Sequence, residues 1–177
     1  MCDTQGVEGP DLASLLLRVI VGVTLVAHGY NHVWGGGGLP GTARWFESIG
    51  IRPGRLHAAL ASGFELVGGV MLILGLLTPL AAAAAVGTMA VALVANHWRN
   101  GFFIFRPGEG YEYVLMLVIV ACAIGALGGG QVSLDRALGL ADDLEGWAGL
   151  AVAVGLGGGG TVLLLVTCWR PPPRSAT

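Results

Sequence analysis

Five long apolar runs separated by polar stretches set the pattern of this chain. About 20 apolar residues, in a helix rising 1.5 Å per residue, cross a bilayer. The runs are Leu12 to about Trp34, Ala58–Leu77, Leu80–Asn96, about Tyr111 to Leu127, and Trp147–Trp169. Each predicts a membrane-spanning helix. Thr78-Pro79 divides the second from the third, and Thr as N-cap with Pro in the first turn predicts a tight antiparallel hairpin. The third and fourth runs are short for a full crossing, so tilt or local thinning of the bilayer is expected.

Two longer connections remain. The first opens at Gly35–Gly38 and runs to about Leu56. Within it TARWFESIGI sets Trp45, Phe46 and Ile49 in an amphipathic pattern, which fits a short helix lying in the interface or an ordinary polar loop. The second, WRNGFFIFRPGEG, holds three Phe and three Gly. Apolar loop residues at membrane depth need protein cover, so this loop is expected to fold back on the bundle.

Composition agrees with the pattern. Of 177 residues, 54% are hydrophobic and 11% charged, with a mean hydropathy of +0.75; soluble domains carry about 25% charge. A net charge of -2 offers no basic surface for nucleic acid. Cys2, Cys122 and Cys168 form no C-x-x-C pair, which argues against a thiol–disulfide site. The 31 Gly and the Ala run at 81–85 read as coding bias. The N-terminal MCDTQGVEGPD is acidic and lacks a basic segment, so the first run is expected to stay as a spanning helix. The chain is thus expected to be a multi-pass protein of the cell membrane, in contact with lipid.

Charge bears on orientation. With five crossings, the first loop, the third loop and the C-terminus share one side. That side carries Arg44, Arg52, Arg55, Arg99, Arg106, Arg170 and Arg174, against Arg18 and Arg136 on the other. The positive-inside rule puts the loop side in the cytoplasm, unless those arginines serve a polar site instead. The fifth run follows an acidic stretch, LDRALGLADDLEGW, and is bracketed by Trp147 and Trp169 as interfacial anchors. Its Gly155 and Gly159 make a G-x-x-x-G pattern suited to close helix contact, including contact with a second copy.

Antiparallel threading also gathers the ionisable residues of the apolar runs. His28 and His32 end the first run, His57 and Glu65 begin the second, His97 ends the third, and Glu112 begins the fourth. All fall near one membrane face. Such groups are costly in lipid and usually functional. Three readings fit them. One is a proton-exchanging redox site, in which Glu65, His97, Glu112 and His28 bond a quinone-like head group while Trp34, Trp98, Phe102 and Phe103 line the slot for its ring. A second is a metal or haem site, for which no tight ligand motif is present. The third is a buried polar network or interfacial snorkelling. His57, beside Arg55 at a helix start, reads as structural, and His32 as interfacial or part of the site. At the other membrane face, Arg18 and Asp135 are expected to form an ion pair.

Several segments in order resemble the DoxX family of small membrane proteins: RVIVGVTLVAHGYNHV, then Trp45-Phe46 before ESIGI, then FELVGGVMLILGLLTPLAA, NHWRNGFFIFRPGEGYEYVLM and GGGQVSLDRALG. The resemblance covers about residues 12–140. It implies a four-helix membrane bundle and association with redox systems, including thiosulfate:quinone oxidoreductase, terminal quinol oxidase subunits, and a mycobacterial oxidoreductase complex with superoxide dismutase and a sulfurtransferase. The chain departs from it at His32, where the family often has Lys, and in its fifth helix. The family's charge distribution implies the N-terminus inside, against the arginine count, which leaves orientation open.

The sequence therefore predicts an all-α membrane protein: a tail over 1–11, a DoxX-like four-helix transmembrane bundle over 12–140, and an appended fifth transmembrane helix with a tail over 141–177. The expected function is a membrane component of a quinone- or sulfur-linked redox system with redox protein partners. Its alternatives are a non-enzymatic scaffold for soluble redox proteins and a small-solute transporter.

Overall fold

The computed structural model describes residues 6–141 and 145–171; Cys2, Arg174 and residues 142–144 lie outside them. The described residues form helices α1 (Gly9–Trp34), α2 (Gly38–Ser48), α3 (Gly54–Leu74), α4 (Thr78–Ala92), α5 (Glu112–Leu127), α6 (Leu134–Ala137) and α7 (Gly146–Cys168). No strand is formed among them; a single antiparallel bridge joins Ile51 to Trp169. Three of the spans begin or end with recognisable chemistry. Pro10 sits in the first turn of α1, where Glu8 and Asp11 make a reciprocal capping box. Gly75 ends α3 at φ 63°, with its N–H bonded to the Leu72 carbonyl and that of Leu76 to Met71; this paired closure needs the left-handed conformation glycine adopts freely. Pro79 then opens α4.

The bundle is a ring of four. α1 packs on α3, α3 on α4, α4 on α5, and α5 returns to α1, while α7 lies outside against α4 and α5. α4 does not stop at Ala92: it runs on through a π turn, Leu93–His97, and a 3₁₀ turn, Trp98–Asn100. Together these make a crossing of 23 residues, so the third span is longer than its apolar run. The 16 residues of α5 reach only about 24 Å, short of a hydrocarbon core of about 30 Å.

Small residues set the helix spacing. A Cβ on Gly22 would sit 2.6 Å from the Gly69 carbonyl oxygen, and one on Gly69 would sit 2.7 Å from that of Gly22. Backbones of α1 and α3 therefore touch, as small-residue seams in membranes allow. Ala81, Ala82 and Ala85 of α4 are buried in the core with Val21, Leu25, Leu72 and Ile124. The alanine run is thus the close-packing face of α4 and not merely a compositional bias. On α7, Gly149, Ala153, Gly157 and Thr161 are buried at helical spacing, with Gly157 against Ala83 and Gly87 of α4. Gly155 and Gly159 face open space, so the seam inside the chain uses the next face round.

The face away from the long loops is pinned by two fully buried charges that do not meet. Arg18 donates to the carbonyls of Leu72 (3.0 Å) and Val132 (2.8 Å). Asp135 accepts from the Leu77 and Thr78 amides (2.6 and 2.9 Å) and the Thr78 hydroxyl (2.7 Å). No direct Arg18–Asp135 ion pair forms among the described residues. Arg18 is held instead by carbonyls of α3 and the α5–α6 loop, and Asp135 by the free amides and the Thr78 hydroxyl at the start of α4.

Candidate functional site

At the opposite face the first loop folds into α2, which packs on α3 and α1. The amphipathic reading is the one realised: Phe46 is buried with Ala43, Ile51 and Ala58, while Trp45 is half exposed. The loop after α2 is stitched to the end of α7. Arg52 N–H donates to the Cys168 carbonyl (2.9 Å), Arg170 N–H to that of Gly50 (2.8 Å), and the Trp169 indole to that of Ile49 (3.0 Å). These connections roof the ends of α1, α3 and α4.

Beneath the roof lies a cavity of about 1060 Å³, at the upper end of small-molecule sites. Its polar residues come from several helices. Glu65 is 4% exposed, and its Oε2 stands 3.0 Å from His32 Nδ1. The pair is close but not aligned as a hydrogen bond, so both atoms keep unspent bonding capacity. His57 is 7% exposed and stands beside the Arg52 backbone, and neither ring nitrogen makes a well-aligned hydrogen bond. Buried polar atoms in that state are uncommon and call for an explanation.

His97 is different. Its Nδ1 lies 3.0 Å from the Glu109 carbonyl, and its Nε2 lies 3.0 Å from the Tyr113 hydroxyl and 3.2 Å from Asn96 Nδ2. A carbonyl only accepts, so Nδ1 carries the hydrogen and Nε2 accepts from Tyr113. The π turn that ends at His97 adds a residue to the helix, as such turns often do at functional sites.

The residues singled out from sequence divide. Glu65 and His97 line the one cavity, and His28 stands at its exposed rim. Glu112 does not line it: its carboxylate accepts from the Ile104 amide (3.2 Å), beside Leu17 and Ile20 of α1. Trp34, Trp98, Phe102 and Phe103 are 44–62% exposed and line no part of it. Trp34 packs on Tyr30, Trp98 stacks on Tyr111, and Phe102 meets Phe103 and Tyr111. The second loop closes on itself, with Tyr111 N–H bonded to Gly101 and Glu112 N–H to Phe102, but turns its aromatics outward. The aromatic lining of the cavity is Trp45, Phe46, Phe64 and Tyr113. Sequence reasoning passed over Tyr113 for its neighbour; on a helix that is apolar all round, nothing marks which of two adjacent residues faces inward. It also set His57 aside, because the α2 roof that buries it could not be placed. Among the described residues no group of three His, Cys, Asp or Glu side chains is disposed to hold a metal ion.

Chemically, the cavity offers a buried carboxylate beside an imidazole, a second imidazole beside the Arg52 backbone, and a Tyr–His pair of fixed direction. Such a set can bond and exchange protons with an uncharged polar head group. Residues 13–98 match the family model described as DoxX. The chain is also 29% identical over 114 residues to a protein of Bacillus subtilis (strain 168) named "Putative oxidoreductase CatD", an alignment covering 64% of this chain and 79% of that relative. No solved structure matches it.

Proposed function

We propose that this chain, a multi-pass membrane protein of the DoxX family, is the membrane component of a redox system, and that its roofed cavity receives the head group of a quinone-like molecule. The observation that carries this reading is the unspent bonding capacity of His32, His57 and Glu65 within one largely apolar cavity. A buried polar atom left without a hydrogen bond costs about 1–3 kcal/mol, so several imperfectly satisfied groups in one place favour a ligand that completes their bonding. A quinone fits that demand, with ring oxygens for the imidazoles and a ring for the apolar wall near Phe46 and Phe64. When bound it would supply two-electron chemistry, taking up two protons with two electrons from a partner redox protein, or releasing two protons as the electrons pass to that partner. Glu65 and His32 hold a proton position at its oxygens, and the Tyr113–His97–Glu109 chain keeps a donor or acceptor in fixed orientation. The oxidoreductase name of the Bacillus subtilis relative agrees with the redox setting.

The test is binding of a short-tailed quinone to the purified protein in nanodiscs. Wild type is expected to bind, with Glu65→Gln and His57→Ala each weakening binding by about tenfold or more, as loss of a hydrogen bond to a buried group does. No binding by well-folded wild type would sink the reading. Unchanged recruitment of soluble partners in cells by both variants, with no quinone bound by any form, would favour a scaffold.

A further inference from the structure

The cavity does not end at its polar residues. It continues as a groove between α3 and α7, both of which pack on α4 but make little contact with each other. Small residues of α4, including Ala84 and Gly87, form its floor. Its walls carry Phe64 and Val67 on α3 and Leu156 and Leu163 on α7, each 54–65% exposed. These side chains belong to spanning helices, so the groove opens sideways into the hydrocarbon layer. From His57 to Met71 it follows α3 for about 21 Å, roughly two-thirds of the hydrocarbon thickness.

Resting on the reading above, we infer that this groove is a lateral channel holding the isoprenoid tail of a membrane quinone, with its head among His32, His57 and Glu65. Three observations fix the occupant. The cavity's buried polar atoms without an aligned hydrogen bond lie at one end only, so the ligand has one polar end and a long apolar one. No Arg or Lys lines the cavity or groove among the described residues, while Glu65 and Glu109 do. A phosphate head group would therefore meet carboxylates and no fixed cation, which sets phospholipid aside. The loop after α2 is hydrogen-bonded to the end of α7 beside the polar end, and the groove gives a head group a way to it from the lipid. α7 thereby becomes one wall of the site.

The experiment compares a long-tailed quinone with its tail-less head group in nanodiscs, using Gly160→Leu and Ala84→Leu. A Cβ on Gly160 meets nothing within 4 Å, so the leucine fills the groove and not the helix seam; Ala84, whose Cβ also faces Gly68 of α3, supplies a second site, read with its thermal stability so that a seam defect is told from a blocked groove. Both variants are expected to bind the long-tailed quinone about tenfold more weakly, or about 1.4 kcal/mol, with head-group binding unchanged. Wild-type affinity for both ligands in both variants would overturn the groove and leave the head-group site standing. A phospholipid retained by wild type in native mass spectra and lost in Gly160→Leu would overturn the choice of occupant. Failure of wild type to bind either quinone would remove both readings.

Discussion

Asp135 shows how this protein buries a carboxylate for structural ends. Fully enclosed, it accepts three hydrogen bonds from Leu77 and Thr78 at the start of α4, where unpaired amides and the helix dipole favour negative charge. Asp135→Ala would strand those donors in the core, and a loss of about 3 kcal/mol is expected. Thermal unfolding in one detergent, with Asp135→Asn losing less because its carbonyl still accepts, checks it; an unchanged midpoint for the Ala variant would refute the assignment. Glu65 is as deeply buried, yet its Oε2 has only the poorly aligned His32 beside it. That contrast between two buried acids separates a cap from a candidate site. From sequence both acids were visible and their roles were not. Asp135 looked like a partner for Arg18 because both sit at one face; that backbone groups claim each of them follows from how α3 ends and α4 begins, which only the folded hairpin displays.

At the scale of helices, glycine marks two kinds of surface. Gly69 is buried against Gly22, backbone to backbone, whereas Gly159 meets open space. A leucine at Gly69 must push α1 from α3, and overpacking of this kind costs about 1–3 kcal/mol. Gly159→Leu is expected to stay within about 0.5 kcal/mol of wild type. The fraction remaining monodisperse after heating, read for both variants by size exclusion, makes the comparison, and equal losses would contradict the seam. The spans themselves were legible because hydropathy alone identifies them; α2 was only half legible, since its few apolar residues fit a short helix and a polar loop equally. The π turn before His97 was not, since no composition encodes one added residue. Nor was the inward face of α5: with Tyr111, Glu112 and Tyr113 in succession, only packing selects Tyr113. The outward aromatics Trp34, Trp98, Phe102 and Phe103 misled for a related reason, because residues suited to a ring slot are equally suited to the interface between lipid and water.

For the whole molecule the open issue is which way the cavity faces. Arg44, Arg52, Arg55, Arg99, Arg106 and Arg170 all lie on elements at the cavity end, and none lines the cavity. They are therefore free to act as topology signals, which removes the objection that they serve the site. On the other face Arg18 is wholly buried among carbonyls and drops out of the count. The asymmetry is thus sharper than the bare sequence count, and by the positive-inside rule the cavity end is expected in the cytoplasm. Protons reaching Glu65 and His32 would then be drawn from the cytoplasmic side, where a soluble electron-donating partner could dock. A C-terminal fluorescent-protein fusion is expected to fluoresce and a C-terminal alkaline phosphatase fusion to be inactive. The opposite pair of signals would place the cavity outside, and any soluble partner with it. Replacing Arg52, Arg55 and Arg106 together by Gln is expected to mix the two orientations, while Arg18→Gln is expected to lower stability, because the buried guanidinium ties α1 to the carbonyls of Leu72 and Val132.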